Sequence, residues 1–488
     1  MKSFHASSTM PCDARTLYEW HANAGALERL TPPWQRVTIA ERKRGKDHPR
    51  IGNDAIARLM IGLGPVSMPW VAEHFDHDPP HGFSDRQLSG PFGSWTHRHE
   101  FSDEGNGRSR LDDRIEYEAP AGFLGSVLLG GKLAADLGRL FWFRHERTRA
   151  DLARHVRSAE RLTIAIAGSS GMIGSALAAF LSTGGHKVIR LVRGRAEPDP
   201  IDGIAQRHWD PAASEISPFT LSGVDVVINL CGENIADGRW TDKRKEQLCR
   251  SRVQPTSLLA KTMASLPASE RPKVLINASG VHAYGDRGDE PLTEDAGWGD
   301  GFLADLVRAW EAAARPAESA GVRVVFARFG MVLGSGGGAL KALMTPTKFG
   351  LGGPIGTGRQ WWPWIGLDDA IGAVLHAIEN DGLAGAVNVC APDAATANDV
   401  SSAIAEAARR PAILGLPAGA ARMALGEEMA GDMLLASTRA EPTRLGEAGF
   451  RWMHPTLLDA VGWELGVRRL MERSPSEDGP IGALQEPA

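Results

Sequence analysis

Residues 162–174 read Leu162-Thr163-Ile164-Ala165-Ile166-Ala167-Gly168-Ser169-Ser170-Gly171-Met172-Ile173-Gly174 and run on into an alanine-rich stretch ending at Leu181. The first six residues form an apolar run of strand length, and the residues from Ile173 onward favour a helix. Between them stand three glycines at a spacing of three. That order lets the chain turn tightly and brings backbone N–H groups close to a pyrophosphate, which then rests on the positive end of the helix. A plain strand-to-helix turn that uses glycine only for its geometry is the bland alternative.

Working outward, the next apolar strand ends Leu191-Val192-Arg193-Gly194-Arg195, with no acid before Glu197. A site for NAD places Asp or Glu there to accept from the ribose 2′-hydroxyl. A guanidinium in that place suits a 2′-phosphate, so NADP(H) is the expected cofactor. Read blandly, Arg193 and Arg195 are solvated loop charges. Further strands are expected at Val224–Leu230, Val274–Ala278 and Val322–Arg328, with helices starting near Ile173, Thr256 and Phe302. Leu230-Cys231-Gly232 follows a strand whose end should border the nicotinamide half of the cofactor. Cys231 reads as a packed small side chain, with no base beside it in sequence.

Before residue 155 the pattern differs. Short alternating segments broken by Gly and Pro (Trp34 to Glu41, Ala55 to Met60, Trp70 to Phe75, Phe83 to Leu88, Trp95 to Phe101, Arg110 to Tyr117) predict an antiparallel sheet. Leu124 to His155 carries Leu129, Leu133, Leu137, Leu140 and Phe141 at helical spacing, which predicts a long amphipathic helix. Beyond Gly334 come a glycine-rich segment and helices from Asp369 and Asn398. Asp368 and Asp369 read as a helix N-terminus. The expected division is 1–155, 161–395, a smaller lobe at 396–466, and a polar tail at 467–488 that is expected to be disordered.

The whole chain of 488 residues is 43% hydrophobic and 23% charged, with a net charge of −5, the balance of an ordinary globular protein. Nucleic acid is not an expected partner. The four cysteines lie far apart, so no zinc knuckle or disulfide framework is expected. No export signal and no apolar run of membrane length is present, and the expectation is a cytoplasmic protein with no membrane partner.

Tyr18-Glu19-Trp20-His21, Leu30-Thr31-Pro32-Pro33-Trp34, Gly90-Pro91-Phe92, Trp95-Thr96-His97-Arg98-His99 and Phe143-Arg144-His145 together resemble the START-like ligand-binding superfamily. The second part resembles the extended short-chain dehydrogenase/reductases. This rests on the glycine turn, Asn229 to Gly232, Ala278-Ser279 with Tyr284-Gly285, Pro291 to Glu294 and Arg328-Phe329-Gly330. More narrowly, Gly238-Arg239-Trp240-Thr241, Gly285-Asp286-Arg287-Gly288, Trp310-Glu311, Gly352-Gly353-Pro354 and Gly358-Arg359-Gln360-Trp361 resemble its atypical epimerase-like subgroup. That subgroup's C-terminal piece is matched by Leu434-Leu435-Ala436-Ser437 and His454-Pro455. The resemblances imply an α/β fold with a Rossmann doubly wound parallel sheet and a small C-terminal lobe, preceded by an α+β helix-grip domain.

They also imply NADP(H) binding and oxidoreductase or epimerase chemistry on a small substrate. The implied cofactor residues are Gly168, Ser169, Ser170, Gly171, Met172, Ile173, Gly174, Arg193, Leu230, Cys231, Gly232 and Ser279. In this superfamily a Tyr and a Lys four residues later handle the proton. The chain has three tyrosines, Tyr18, Tyr117 and Tyr284, and none has Lys four residues on. Ser279 and Tyr284 are the remaining catalytic candidates. Ser279 could bond a substrate carbonyl or cap its own turn; Tyr284 could be a substitute acid, a pocket wall or a buried structural residue. A non-catalytic NADP(H) sensor or a ligand carrier is the alternative function.

In the first part, Trp34, Trp70, Phe75, Phe83 and Trp95 suit either a core or an apolar ligand pocket. His97 and His99 alternate onto one strand face, where Asp112, Asp113 or His74 could complete a metal site. Two ligands are too few, a cavity-lining face accounts for these residues equally well, and no metal is assigned.

Overall fold

The computed structural model describes residues 1–63, 66–120, 122–156 and 160–468. The chain divides into two compact units. One is Met1–Arg161 with Ala178–Lys187 and Asp199–Ala205; the other is Leu162–Leu177, Val188–Pro198 and the chain from Gln206 onward.

The first unit runs β1 (Lys2–Met10), α1 (Ala14–Ala22), α2 (Ala26–Leu30), β2 (Val37–Lys43), β3 (Ile56–Leu63), β4 (Val66–Asp78), β5 (Gly82–Ser89), β6 (Ser94–Gly105), β7 (Arg108–Glu118) and α3 (Gly122–His155). Its seven strands form one antiparallel sheet in the order β1-β7-β6-β5-β4-β3-β2. Strands β2 to β7 follow one another as neighbours, and β1 closes the row against β7. On β6, Trp95, His97, His99 and Phe101 are buried while Arg98 and Glu100 are exposed, the period of two that a half-buried strand requires. Leu137 and Phe141 of α3 pack on Trp95, Ile115 and Tyr117. Each such side chain contributes roughly 1.5–3 kcal/mol when fully buried.

Two parts of this unit escape the alternation rule. β1 has few apolar residues to reveal its period. α1 is only nine residues long; the Asp13 carboxylate starts it by accepting the Thr16 N–H at 2.7 Å. Among charged residues, Arg29 on α2 and Asp151 on α3 form a bidentate pair at 2.8 and 2.6 Å, with side chains 2% and 1% exposed.

From Leu162 the chain runs β8 (Thr163–Ala167), α4 (Met172–Thr183), β9 (Lys187–Val192), β10 (Ala205–His208), β11 (Val226–Asn229), α5 (Asp242–Ser265) and β12 (Val274–Gly280), all in the second unit except the end of α4 and the first residues of β9 and β10. It continues with β13 (Pro291–Leu292), α6 (Phe302–Ala312), α7 (Arg315–Ser319), β14 (Arg323–Phe329), β15 (Met331–Leu333), α8 (Gly338–Lys348), β16 (Trp364–Gly366), α9 (Leu367–Glu379) and β17 (Gly385–Val389). The main sheet has the order β10-β9-β8-β11-β12-β14-β17. The pairs β8/β11, β11/β12, β12/β14 and β14/β17 are parallel, as the strand-helix alternation requires. Its strands are apolar almost throughout because both faces are covered.

Helix α5 starts at Asp242, capped by Thr241, and not near Thr256 as the sequence suggests. Pro255 reads as a helix start but lies inside the helix; the Thr241 cap decides the true beginning. β10 and β17 were also not anticipated. After α9, short helices continue to Leu465; the segment from 469 onward lies outside the described residues, as does most of the expected tail. Among the described residues no helix is long and apolar enough to cross a membrane.

Candidate functional site

The chain leaves β8 toward β9 and β10 on one side of the sheet, then returns to β11 on the other side of β8. Strand order reverses at the carboxyl ends of β8 and β11, the place where doubly wound sheets form their ligand crevice. The glycine turn lies there. Gly168 has φ +78°, and a Cβ on it would stand 2.6 Å from the Leu230 carbonyl. A Cβ on Gly174 would stand 2.3 Å from the Gly168 carbonyl oxygen. These two glycines are fixed by the protein's own packing. Gly171 is different: the nearest atom to its would-be Cβ is 3.5 Å away, and the residue is exposed. The free N–H groups of the first turn of α4 follow directly behind it.

Leu230 N donates to the Ala167 carbonyl at 2.9 Å, locking the two strand ends together. Behind them, Asn229 Nδ2 donates to Thr256 Oγ1 (2.8 Å) and Asn277 Oδ1 (2.7 Å), while Trp310 Nε1 donates to the same Thr256 oxygen (3.0 Å). Asn229 Oδ1 accepts from Cys231 N at 3.2 Å, so this buried network also holds the loop after β11. Arg193 and Arg195 are exposed, and neither forms an ion pair among the described residues. The positive charge of Arg193 acts on Cys231, whose thiol burial nevertheless pushes up to about 12, which disfavours the thiolate. The structure thus gathers the Gly168–Gly174 turn, Leu230 and Cys231 at the crevice, with the Arg193 charge close enough to be felt there.

Ser279 is the penultimate residue of β12, and its hydroxyl donates to Glu311 Oε1 at 2.6 Å. Glu311 also takes a two-point ion pair from Arg328, at 2.9 and 3.0 Å. Arg328 is 5% exposed and lies over the rings of Tyr284 and Trp298, at 5.1 and 4.9 Å. Tyr284 is fully buried and donates to Asn388 Oδ1 at 2.7 Å; burial pushes its phenol above its ordinary pKa. Of the open alternatives, its position is that of a structural tyrosine. Sequence reasoning passed over His282, which stands half-buried between Ser279 and Tyr284. Burial, then the charge of Arg252, lower its pKa to about 4. Asp368 and Asp369 do fall in the first turn of α9, but both are buried. Asp369 accepts the N–H groups of Met453 and His454 at 2.6 and 2.9 Å, and Asp368 accepts from Trp463 at 2.7 Å. They anchor the C-terminal lobe.

In the first unit the inner sheet face borders a cavity of about 480 Å³. Trp70, Phe83 and Trp95 line it. Trp34 and Phe75 do not: the first packs edge-on against Phe143 and the second under the Arg86 guanidinium. His21, His74, His97 and His99 also face the cavity. Burial pushes His21 down to about 3. For His99 burial acts the same way, yet Asp113 and Asp85 hold it up at about 9.

A group with a lowered folded pKa stabilises fully above its unfolded value and loses that contribution as pH falls. His21 therefore costs stability below about pH 6.5, by up to about 1.4 kcal/mol per pH unit. His99 acts in the opposite sense, at alkaline pH. Urea midpoints taken from about pH 7 to about pH 5 should fall in the native chain and fall less steeply for His21→Asn. Equal slopes would remove His21 from this role.

Strand order, crevice and glycine turn together define a Rossmann-type nucleotide-binding protein. The chain belongs to the NAD dependent epimerase/dehydratase family: residues 164–390 match that family, and residues 416–464 match a domain of unknown function, DUF1731. An epimerase family protein of Mycobacterium bovis is 42% identical over 300 residues, 62% of this chain and 96% of that protein. The structure of a nucleoside-diphosphate sugar epimerase from Corynebacterium glutamicum is 31% identical and covers 95% of this chain and 90% of its own, with a TM-score of 0.75. The structure of human epimerase family protein SDR39U1 with NADPH is 34% identical, covering 62% of this chain and 98% of its own, with a TM-score of 0.55.

Proposed function

We propose that the second unit binds NADP(H) and performs oxidoreductase or epimerase-like chemistry on a small substrate. The observation that carries this is the contrast among the three turn glycines: two are filled against by the protein itself, and Gly171 alone opens outward to where a pyrophosphate would lie. Residues Gly168 to Gly174 would hold the pyrophosphate, Arg193 the 2′-phosphate, and Leu230 to Gly232 with Ser279 the nicotinamide half. The bound dinucleotide would supply a hydride donor or acceptor. The NADPH in the human relative's structure supports the choice of cofactor.

The residues at the end of β12 carry the rest of the reading. With no Tyr-x-x-x-Lys pair, and with the Tyr284 hydroxyl committed to Asn388, proton handling falls to other groups. Ser279, whose hydroxyl proton is held by Glu311, offers its oxygen lone pairs to a substrate hydroxyl; burial disfavours the protonated form of His282, which would serve as a neutral hydrogen-bonding group and not as a strong base. The commitment of Tyr284 also favours a second reading, a non-catalytic NADP(H) sensor. Turnover of NADPH against a panel of carbonyl compounds and nucleotide sugars separates the two.

For the first unit we propose a START-like helix-grip domain binding an apolar ligand. The sheet order, the long helix α3 and the aromatic-lined cavity support this.

The cofactor assignment is tested by titrating the stripped chain with NADPH and NADH, following tryptophan fluorescence. NADPH should bind more tightly. Arg193→Ala should erase about 10- to 100-fold of that preference, the worth of a charge-assisted bond of roughly 1.5–3 kcal/mol. Preference for NADH in the native chain would overturn the role of Arg193, and binding of neither would overturn the site.

A further inference from the structure

The inner face of the first unit's sheet carries a second constellation of side chains. Cross-strand register sets Asp85 of β5 opposite His97 of β6, and His99 of β6 opposite Asp113 of β7. His97 Nδ1 lies 3.3 Å, and His99 Nε2 3.8 Å, from Asp85 Oδ2, and the three ligand atoms all lie within 4.8 Å of one another. Two donors bound to one ion at about 2.1 Å stand roughly 3.4 Å apart in tetrahedral geometry; both Asp85 distances are within a few tenths of an ångström of that, and the two imidazole nitrogens, within 4.8 Å of each other, would close by up to about 1.4 Å around the ion.

The outer nitrogens are what distinguish this cluster from a chance group of polar residues. His97 Nε2 is 2.9 Å from Asp113 Oδ1, and His99 Nδ1 is 2.6 Å from the same oxygen, the latter off the angle of a good hydrogen bond. Asp113 Oδ2 is in turn 2.7 Å from His145 Nε2, and His145 Nδ1 is 2.8 Å from Ser8 Oγ. One carboxylate thus backs both imidazoles and turns their other nitrogens toward Asp85, the arrangement that orients histidines on metals. The side chains of His97, Asp113 and His145 are each 4% exposed, His99 9% and Asp85 16%. Bound to an ion as neutral ligands, the imidazoles leave Asp85, Asp113 and Arg144, which also lines the cavity, with one net negative charge facing a dication; without the ion the same two carboxylates favour a proton on His99, which the ion would displace.

We propose that Asp85, His97 and His99 bind a divalent transition-metal ion of the zinc class. Two imidazoles and one carboxylate select such an ion over calcium or magnesium. Three protein ligands leave coordination positions open to the cavity, where an oxygen of a bound small molecule would reach the ion. All three ligands belong to the first unit.

The test is a titration of the untagged, EDTA-treated full chain with Co²⁺, following its visible ligand-field bands, with metal content measured after dialysis. One Co²⁺ per chain, displaced by Zn²⁺, is expected. Asp85→Asn and His99→Gln should each abolish the bands, and Asp113→Asn should weaken binding by about 10- to 100-fold. Far-ultraviolet circular dichroism and the urea midpoint report whether each variant is folded. Independently, Zn²⁺ should raise the native chain's melting temperature. Absence of bands in the native chain, or bands that survive in folded Asp85→Asn and His99→Gln, would overturn the site.

Discussion

Glu311→Ala should destabilise the second unit by about 3–5 kcal/mol, read as a fall in urea midpoint. The substitution leaves the Arg328 guanidinium, 5% exposed, without its two-point partner, and takes the acceptor from the Ser279 hydroxyl. The rings of Tyr284 and Trp298 offset only part of that loss, since a cation over a ring contributes about 0.5–2 kcal/mol. Removing both charges, as in Glu311→Leu with Arg328→Met, should cost less than Glu311→Ala alone, because no buried charge is then stranded. A double variant weaker than the single would show that packing, and not charge compensation, governs this spot.

Gly171→Asp should leave the fold intact and reduce NADPH affinity by more than about 100-fold, since a carboxylate set against a pyrophosphate costs several kcal/mol. There is room for its Cβ, with the nearest atom at 3.5 Å. Gly174→Val should behave in the reverse order. Its Cβ would lie 2.3 Å from the Gly168 carbonyl, so the turn and the start of α4 must move, and stability should fall by roughly 1–3 kcal/mol along with binding. Circular dichroism and NADPH titration on both variants distinguish the two roles. A Gly171→Asp protein that still binds NADPH would remove the turn from the cofactor site.

What the chain reveals in advance follows from how local each signal is. The turn at Gly168 is legible because its strand, glycines and helix are contiguous. The strand Lys187–Val192 is legible for a similar reason, its Val188, Ile189, Leu191 and Val192 forming a short β-branched and apolar run broken only by Arg190. β10, with Ala205-Gln206-Arg207-His208, is a sheet edge with little apolar content, and nothing in its composition marks it as a strand. Long-range partners are hidden altogether. Tyr284 meets Asn388 only because β12 and β17 flank β14 in the sheet. Asp85 was missed beside His97 because register across the β5–β6 hairpin, and not sequence spacing, decides which residue faces it. Asp112, an equal candidate by spacing, points to the opposite face and bonds the exposed His5.

The sheet of the first unit also sets a timetable for synthesis. β2 to β7 can zip into hairpins as they leave the ribosome, each with the strand before it. β1 emerges first, yet its register partner for Lys2 is Tyr117, so it must wait, unpaired, until nearly the whole unit has been translated. Its delayed arrival makes the closing of this sheet a late, non-local step. Until then β1 and the free edge of the newest strand stay open, the kind of surface that chaperones cover and neighbouring chains invade.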